Sequence, residues 1–247
     1  MEPRYDRIGI DYARHRRPDA RIAGRIEAAL AGARRVLDVG AGTGSYEPAG
    51  AQVLAVDPSP VMIAQRPPAS PPVVRAVAEA LPVASGGFDA VLAVLTVHHW
   101  ADPPRGLAEL CRVAPRRVVL CFDKDREHDF WLVREYLPEI ARLDGGHVVG
   151  PAEVAAALGP GRVEVVPVPA DCTDGFLGAY WRRPERYLDP AVRACISGIA
   201  RLPASVVDRG VDALRRDLET GRWHEAHAGL LRCDELDLGY RLVVAGP

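Results

Sequence analysis

The sequence predicts an α/β fold built on a wound, mostly parallel sheet. Apolar, β-branched runs of strand length recur along the chain, with segments of helical pattern between them. One such run, Val36-Leu37-Asp38-Val39, feeds Gly40-Ala41-Gly42-Thr43-Gly44, and a second, Val53-Leu54-Ala55-Val56, ends in Asp57. A strand carrying an acid, a turn with glycine at every second position and a second strand ending in an acid form the edge of a nucleoside site. Asp57 lies 19 positions after Asp38, near the ~20 expected where a carboxylate grips a ribose diol. The glycines read G-x-G-x-G, not the G-x-G-x-x-G of a pyrophosphate binder, so the expected ligand is a nucleoside without phosphates.

Taken in order, strands are expected over 35–39, 53–57, 73–76, 88–94, 118–123, 162–168 and 238–244. Helices are expected over 20–31, 60–65, 104–113, 130–143 and 151–158. Pro60 and Pro151 suit first helical turns, where the missing N–H costs nothing, and Gly159 suits a helix end. Only Ser45 to Gln52 separate Gly44 from the second strand, whereas a parallel crossover normally takes a dozen or more residues. The first helix is therefore expected to be a turn or two, broken at Pro48, with Tyr46 and Glu47 beside the ligand. About 65 residues lie between Ala170 and Asp237, too many for a simple connection. Amphipathic helices are expected there over 190–199 and 203–218, with Trp181-Arg182-Arg183-Pro184 as an aromatic, basic turn. The chain is expected to be one domain, 1–247, with 170–237 as a helical insertion. That insertion reads as a lid at the carboxyl edge of the sheet, or else as a homodimer contact; the lid is favoured.

At 247 residues with 48% hydrophobic and 26% charged content, the chain can bury a sizeable core. A net charge of -2 argues against a nucleic-acid protein. Lys124 is the only lysine and asparagine is absent, a bias associated with GC-rich bacterial genomes. The five cysteines, Cys111, Cys121, Cys172, Cys195 and Cys233, are dispersed without a C-x-x-C pair, which suits reduced thiols. The amino terminus begins polar, and no apolar run approaches the ~18 residues of a membrane span. A cytoplasmic protein, not engaged with a membrane, is expected.

Further stretches follow the glycine turn in a fixed order. Asp57-Pro58-Ser59-Pro60-Val61-Met62 is succeeded by Ala78-Glu79-Ala80-Leu81-Pro82, by Phe88-Asp89, by Val97-His98-His99-Trp100 with Asp102-Pro103, and by Leu107 to Val113. Together these resemble the class I S-adenosylmethionine-dependent methyltransferases, of the small-molecule, ubiquinone/menaquinone-methyltransferase-like kind, over about half the chain. The resemblance implies a Rossmann-like, seven-stranded, mostly parallel sheet with an antiparallel last strand. It implies S-adenosylmethionine as cofactor and S-adenosylhomocysteine as product. Asp38 and the loop of Gly40, Gly42 and Gly44 would hold the methionine end, and Asp57 with Pro58 the ribose. Met62 would pack on the adenine, with Ala78, Glu79 and Val94 at the cofactor's edge. The family commonly has an aspartate where Val77 stands, so adenine recognition would fall to backbone groups or to Glu79. Tyr12 and Arg16 resemble a Y-x-x-x-R segment folded over the cofactor, the alternative being a solvated basic arm.

Methyl transfer from a sulfonium needs in-line placement and exclusion of water, and a base only where the acceptor must lose a high-pKa proton. His98 and His99, just past the fourth strand, are the candidate bases, with His99 preferred; capping or solvation is the alternative for each. Trp100, Trp131, Tyr180 and Trp181 are candidates for an aromatic acceptor pocket, or else core. Arg182 is a candidate to bind an acidic acceptor, or else a solvated turn residue. No metal is expected from His98, His99 and Asp102, and Asp102-Pro103-Pro104 lacks the aromatic of a D-P-P-Y motif. The expected function is methyl transfer to the oxygen, nitrogen or carbon of a small molecule. The alternatives are a protein that uses the bound cofactor without transfer, and a degenerate, non-catalytic partner or sensor.

Overall fold

A computed structural model of the chain describes residues 15–146 and 149–247. Seven strands form one sheet in the order β3-β2-β1-β4-β5-β9-β6. These are β1 (Arg35–Val39), β2 (Gln52–Asp57), β3 (Val73–Arg75), β4 (Ala90–Val94), β5 (Arg116–Phe122), β6 (Gly161–Val165) and β9 (Tyr240–Ala245). The pairs from β3 through β5 are parallel, and β9 runs antiparallel to both β5 and β6. The last strand is thus the antiparallel one, inserted between β5 and β6. A short separate pair joins β7 (Val168–Pro169) to β8 (Glu235–Leu236).

Both faces of the sheet are covered, and the strands accordingly read as continuous apolar runs. Alternate residues enter different cores: Val36, Val118, Leu120, Leu242 and Val244 pack on one face, Leu37, Val39, Val119 and Val243 on the other. The second face is closed by α3 (Pro103–Val113) and α5 (Pro151–Leu158), through Leu107, Leu110, Val154 and Leu158. The first is closed by α1 (Ala20–Ala29) and by the insertion, which brings Trp181, Tyr187 and Trp223 into the same core. Asp19 caps α1 by accepting from the Arg21 N–H, Ser59 caps α2 (Pro60–Ala64) by accepting from the Met62 N–H, and Asp102 caps α3 by accepting from the Arg105 N–H. Asp102 is therefore a helix cap.

Three expectations need correction. Between β1 and β2 no helix forms; turns carry the crossover, and Tyr46 is buried beneath them. The segment expected as one helix over 130–143 is broken. A π-helical turn at Leu132–Tyr136, closed by the Leu137 N–H on the Leu132 carbonyl at 2.9 Å, gives way to a 3₁₀ stretch, Pro138–Gly146. Pro138 cannot donate to the ladder, and α8 (Ala204–Glu219) crosses here so closely that a Cβ on Gly210 would lie 2.5 Å from the Tyr136 carbonyl oxygen. The helix expected over 190–199 is two pieces, α6 (Pro190–Ala194) and α7 (Ser197–Ala200), parted by extended backbone at Ile196. A further short helix, α4 (Lys124–Asp129), follows β5 where only a loop was expected, and α9 (Arg222–Ala226) follows α8.

Candidate active site

A cavity of about 1170 Å³ opens at the carboxyl ends of β1, β2 and β4. Parallel sheets bind ligands there, at the point where strand order reverses. The glycine turn forms one wall. Gly40, Gly42 and Gly44 all have positive φ, at 74°, 53° and 88°, which suits glycine and strains other residues. Gly40 also lies so near the loop after β4 that a Cβ there would fall 2.1 Å from the Thr96 Oγ1. Asp57 ends β2 with its carboxylate 2.8 Å from both the Gly42 and Ser59 N–H groups. The acid and the glycine turn thus hold each other in place.

In the missing helix's stead, the turn is braced by side chains. The Arg66 guanidinium donates to Glu47 at 2.5 Å, with both side chains nearly buried, and to the Gly42 carbonyl at 3.4 Å. Glu47 therefore serves the turn from behind and does not line the cavity, and neither does Gly44. The Tyr46 hydroxyl donates to Asp174 at 2.9 Å, and Arg16 Nε meets the same carboxylate at 2.6 Å. Asp174 is fully buried, so this ion pair joins the amino-terminal segment, the glycine turn and the insertion. Burial and the Asp174 carboxylate keep the Tyr46 phenol protonated far above its usual range.

The cavity brings together Asp38, Gly40, Gly42, Asp57, Pro58, Met62, Ala78, Glu79, Val94 and Arg16. It also takes in His99, Trp100 and, as expected, Tyr46. Tyr12 lies outside the described residues. Val77 stands at the rim, 46% exposed. Glu79 does not reach for a ligand with the oxygen in use: its Oε1 accepts from the Ala101 and Asp102 N–H groups at 2.7 and 3.0 Å. It fixes the loop that follows His99. Leu95, also on the wall, has φ of 51°, an uncommon strain for a bulky residue and one that clusters at functional sites. Nothing in the sequence pattern singled it out.

Other candidates sit elsewhere. Trp131, Tyr180 and Trp181 are core residues and do not line this cavity: Trp131 Nε1 donates to the Trp181 carbonyl and Trp181 Nε1 to the Val168 carbonyl, both at 3.0 Å, while Tyr180 packs edge-on against Tyr187. The two indole N–H groups are spent on backbone carbonyls, as buried tryptophans require. Arg182 donates to the Cys233 carbonyl at 2.8 Å and ties the insertion together instead of facing an acceptor. His98 lies against His99, ring centroids 3.8 Å apart and tilted by 49°, but faces a separate, smaller cavity. Among the described residues no helix is long and apolar enough to cross a membrane.

Asp38 is the electrostatic centre of the site. Burial, followed by the nearby Glu47 carboxylate, pushes its carboxyl up to about 8, with Arg66 opposing and Asp57 adding to the rise. In the unfolded chain an aspartate ionises near ~3.9. The folded protein therefore binds a proton here that the unfolded chain has released, and this group costs stability as pH rises from about 4 to 8. A cationic ligand reverses the balance by favouring the carboxylate.

A sheet of this order, with a phosphate-free glycine turn and an acid on the second strand, defines a nucleoside-binding α/β enzyme. A family model described as a methyltransferase domain matches residues 37–122. A crystal structure of a putative methyltransferase from an antibiotic biosynthesis pathway of Anabaena variabilis is 32% identical, with a TM-score of 0.85, covering 94% of this chain and 99% of that one. A second, described as a possible histamine N-methyltransferase from Thermotoga maritima, is 25% identical with a TM-score of 0.52, covering 67% of this chain and 84% of that one. Uncharacterized methyltransferases of Mycobacterium bovis and Mycobacterium tuberculosis are 41% identical over 126 residues, 48% of this chain. The match spans about half the length of these curated relatives, 51%. The chain belongs to the class I S-adenosylmethionine-dependent methyltransferases.

Proposed function

We propose that the protein transfers a methyl group from S-adenosylmethionine to a small-molecule acceptor. The observation that carries this reading is the single cavity shared by the glycine turn, Asp38, Asp57 and His99. Asp57 accepts from the ribose hydroxyls, a charge-assisted contact. Asp38 faces the cationic methionine end, and Met62 with the Val77-Ala78 backbone meets the adenine. Transfer is a displacement in which the acceptor atom attacks the methyl carbon and the sulfonium leaves as a neutral thioether. His99, on the cavity wall beside the mobile proton of a hydroxyl or amine acceptor, takes that proton. The 170–237 segment contributes Ala200 and Arg201 to the cavity wall, and acts as the cover on the acceptor side.

Two results are expected. His99→Ala should lower turnover by ~10²-fold or more while leaving cofactor affinity within a few-fold; an unchanged rate would return His99 to a structural role. Cofactor affinity should rise toward tenfold per pH unit between pH 6 and 7.5, because binding must ionise Asp38, whose carboxyl sits at about 8. Calorimetry in buffers of different ionisation enthalpy should register a released proton. A flat profile with no proton release would remove Asp38 from contact with the cationic end. The reaction itself is tested by incubating the purified chain with methyl-labelled cofactor and acceptor panels, reading S-adenosylhomocysteine formed. Tight cofactor binding with no transfer across oxygen, nitrogen and carbon acceptors would favour the reading in which the cofactor is used without transfer.

A further inference from the structure

Beside the large cavity lies a second one of about 80 Å³. The two share Arg16, Leu95 and Arg201 as walls. His99 faces the large cavity and His98, lying against it, faces the small one, where it meets Phe122 edge-on at 4.9 Å. The small cavity thus lies directly behind the side of the site where the acceptor is read to sit. Its apolar walls include Phe122, Ile140, Phe176 and Tyr240. A dry cavity of ~150 Å³ accommodates benzene, so this space suits a group of about three or four heavy atoms.

One polar group in it has no role in the fold. Glu127, on α4 at the carboxyl end of β5, lines the cavity, and no hydrogen bond from the described residues reaches its carboxylate. Its side chain is half-buried, and acids withdrawn from bulk water are normally paired. Desolvation lifts its carboxyl to about 7, with Lys124 opposing. Among the described residues, the other charged groups facing the same space are Lys124, Arg16 and Arg201, and His98 and the Tyr240 hydroxyl also face it. Arg16 is neutralised by Asp174 at 2.6 Å, and Lys124 donates to the Leu143 carbonyl at 3.4 Å.

We propose that this second cavity is an acceptor-recognition subsite for a short, uncharged, hydroxyl-bearing end of the substrate, held by Glu127 and Lys124. The inference rests on the methyl-transfer reading for the word acceptor, but not for the subsite. Three head chemistries compete for such a space. An ammonium is welcome to Glu127 but meets Lys124. A carboxylate is welcome to Lys124 but meets Glu127. A hydroxyl donates to the carboxylate and accepts from the ammonium, so it alone satisfies both without adding a charge. The apolar walls hold the carbon attached to it. Glu127 is in this account a specificity residue, acting on the end of the acceptor that enters the small cavity.

The test uses three probes of similar size, isopropanol, isopropylamine and acetate, titrated into the full chain saturated with S-adenosylhomocysteine and followed by amide NMR at pH 7. Isopropanol should give saturable shifts centred on Phe122, Glu127 and Tyr240, and bind at least fivefold more tightly than either charged probe. Glu127→Gln, which keeps an acceptor oxygen but removes the charge, should hold isopropanol within a few-fold while relaxing the discrimination against acetate, whereas Glu127→Ala should weaken isopropanol at least fivefold with cofactor affinity unchanged. Isopropylamine binding as tightly as isopropanol would overturn the proposal in favour of an ammonium subsite, and acetate binding most tightly would do so in favour of an anion subsite. Shifts confined to other surfaces, or no saturable shift, would overturn it outright. Cofactor affinity is measured separately by calorimetry. Its absence alongside intact isopropanol shifts would therefore count against the methyl-transfer reading alone.

Discussion

Asp57→Ala should cost at least ~10² in affinity for S-adenosylhomocysteine, as expected when a bidentate, charge-assisted contact is removed. The carboxylate stands at the end of β2, 6% exposed, aimed by the Gly42 and Ser59 N–H groups at 2.8 Å each. Removing it takes away the ribose acceptor and frees the Gly42 N–H at the same time. Asp57→Asn separates the two effects, since the amide oxygen can still accept from one N–H but cannot serve two hydroxyls as an anion. An intermediate loss is expected for asparagine. The strand order should persist in both, because the side chain lies at the end of β2 beside a cleft, although the Gly42 and Ser59 N–H groups lose an acceptor in Asp57→Ala; wild-type affinity in a folded Asp57→Ala protein would sink the ribose assignment.

Gly40→Ala should be nearly as damaging, by a different route. Its φ of 74° strains any side chain, and the new Cβ would fall 2.1 Å from Thr96 Oγ1 and 2.7 Å from Thr96 Cβ. Positive φ and overpacking together should destabilise the protein by ~2–4 kcal/mol. The Gly40 N–H also donates to the Val56 carbonyl at 2.8 Å, so a shifted loop would drag the β1–β2 register with it. A fall in Tm of several degrees with loss of cofactor binding is expected. Thr96→Ala in the same chain should recover part of the stability, because it removes the Oγ1 but leaves the Cβ contact. An Asp57-like binding loss without any fall in Tm would mean that the loop yields freely, contrary to the packing.

Much of this was legible in the chain itself, and the reason is local. Strands buried on both faces must be apolar throughout, so 35–39, 53–57 and 118–123 stood out, and the glycine turn between two acids placed the cleft. Helices with start and stop residues, such as Pro151–Leu158 with Pro151 in its first turn and Gly159 at its end, were readable for the same reason. What failed was set by distant neighbours. The break at Leu132–Tyr136 sits where another helix approaches closely at Gly210, which no local pattern announces. The crossover after Gly44 was visibly too short for a helix, but nothing local announced that Arg66 and Glu47 would brace it. Trp131, Tyr180 and Trp181 had the composition of an acceptor pocket, and an aromatic's address is decided by tertiary packing alone. Glu127 was overlooked because Lys-Asp-Arg-Glu-His-Asp reads as a solvated charged run, and only the fold turns that one carboxylate inward.

The central claim, that the glycine turn and its two flanking acids hold S-adenosylmethionine, is tested most directly by titrating S-adenosylhomocysteine into the purified chain at pH 7.5 by calorimetry, with a thermal melt alongside. The account predicts one ligand per chain and, at ligand a hundredfold above Kd, a gain of ~2.7 kcal/mol that raises Tm by a few degrees. No saturable heat and no shift, in a sample that melts cooperatively, would contradict it and would leave the fold as that of a methyltransferase relative that no longer binds the cofactor.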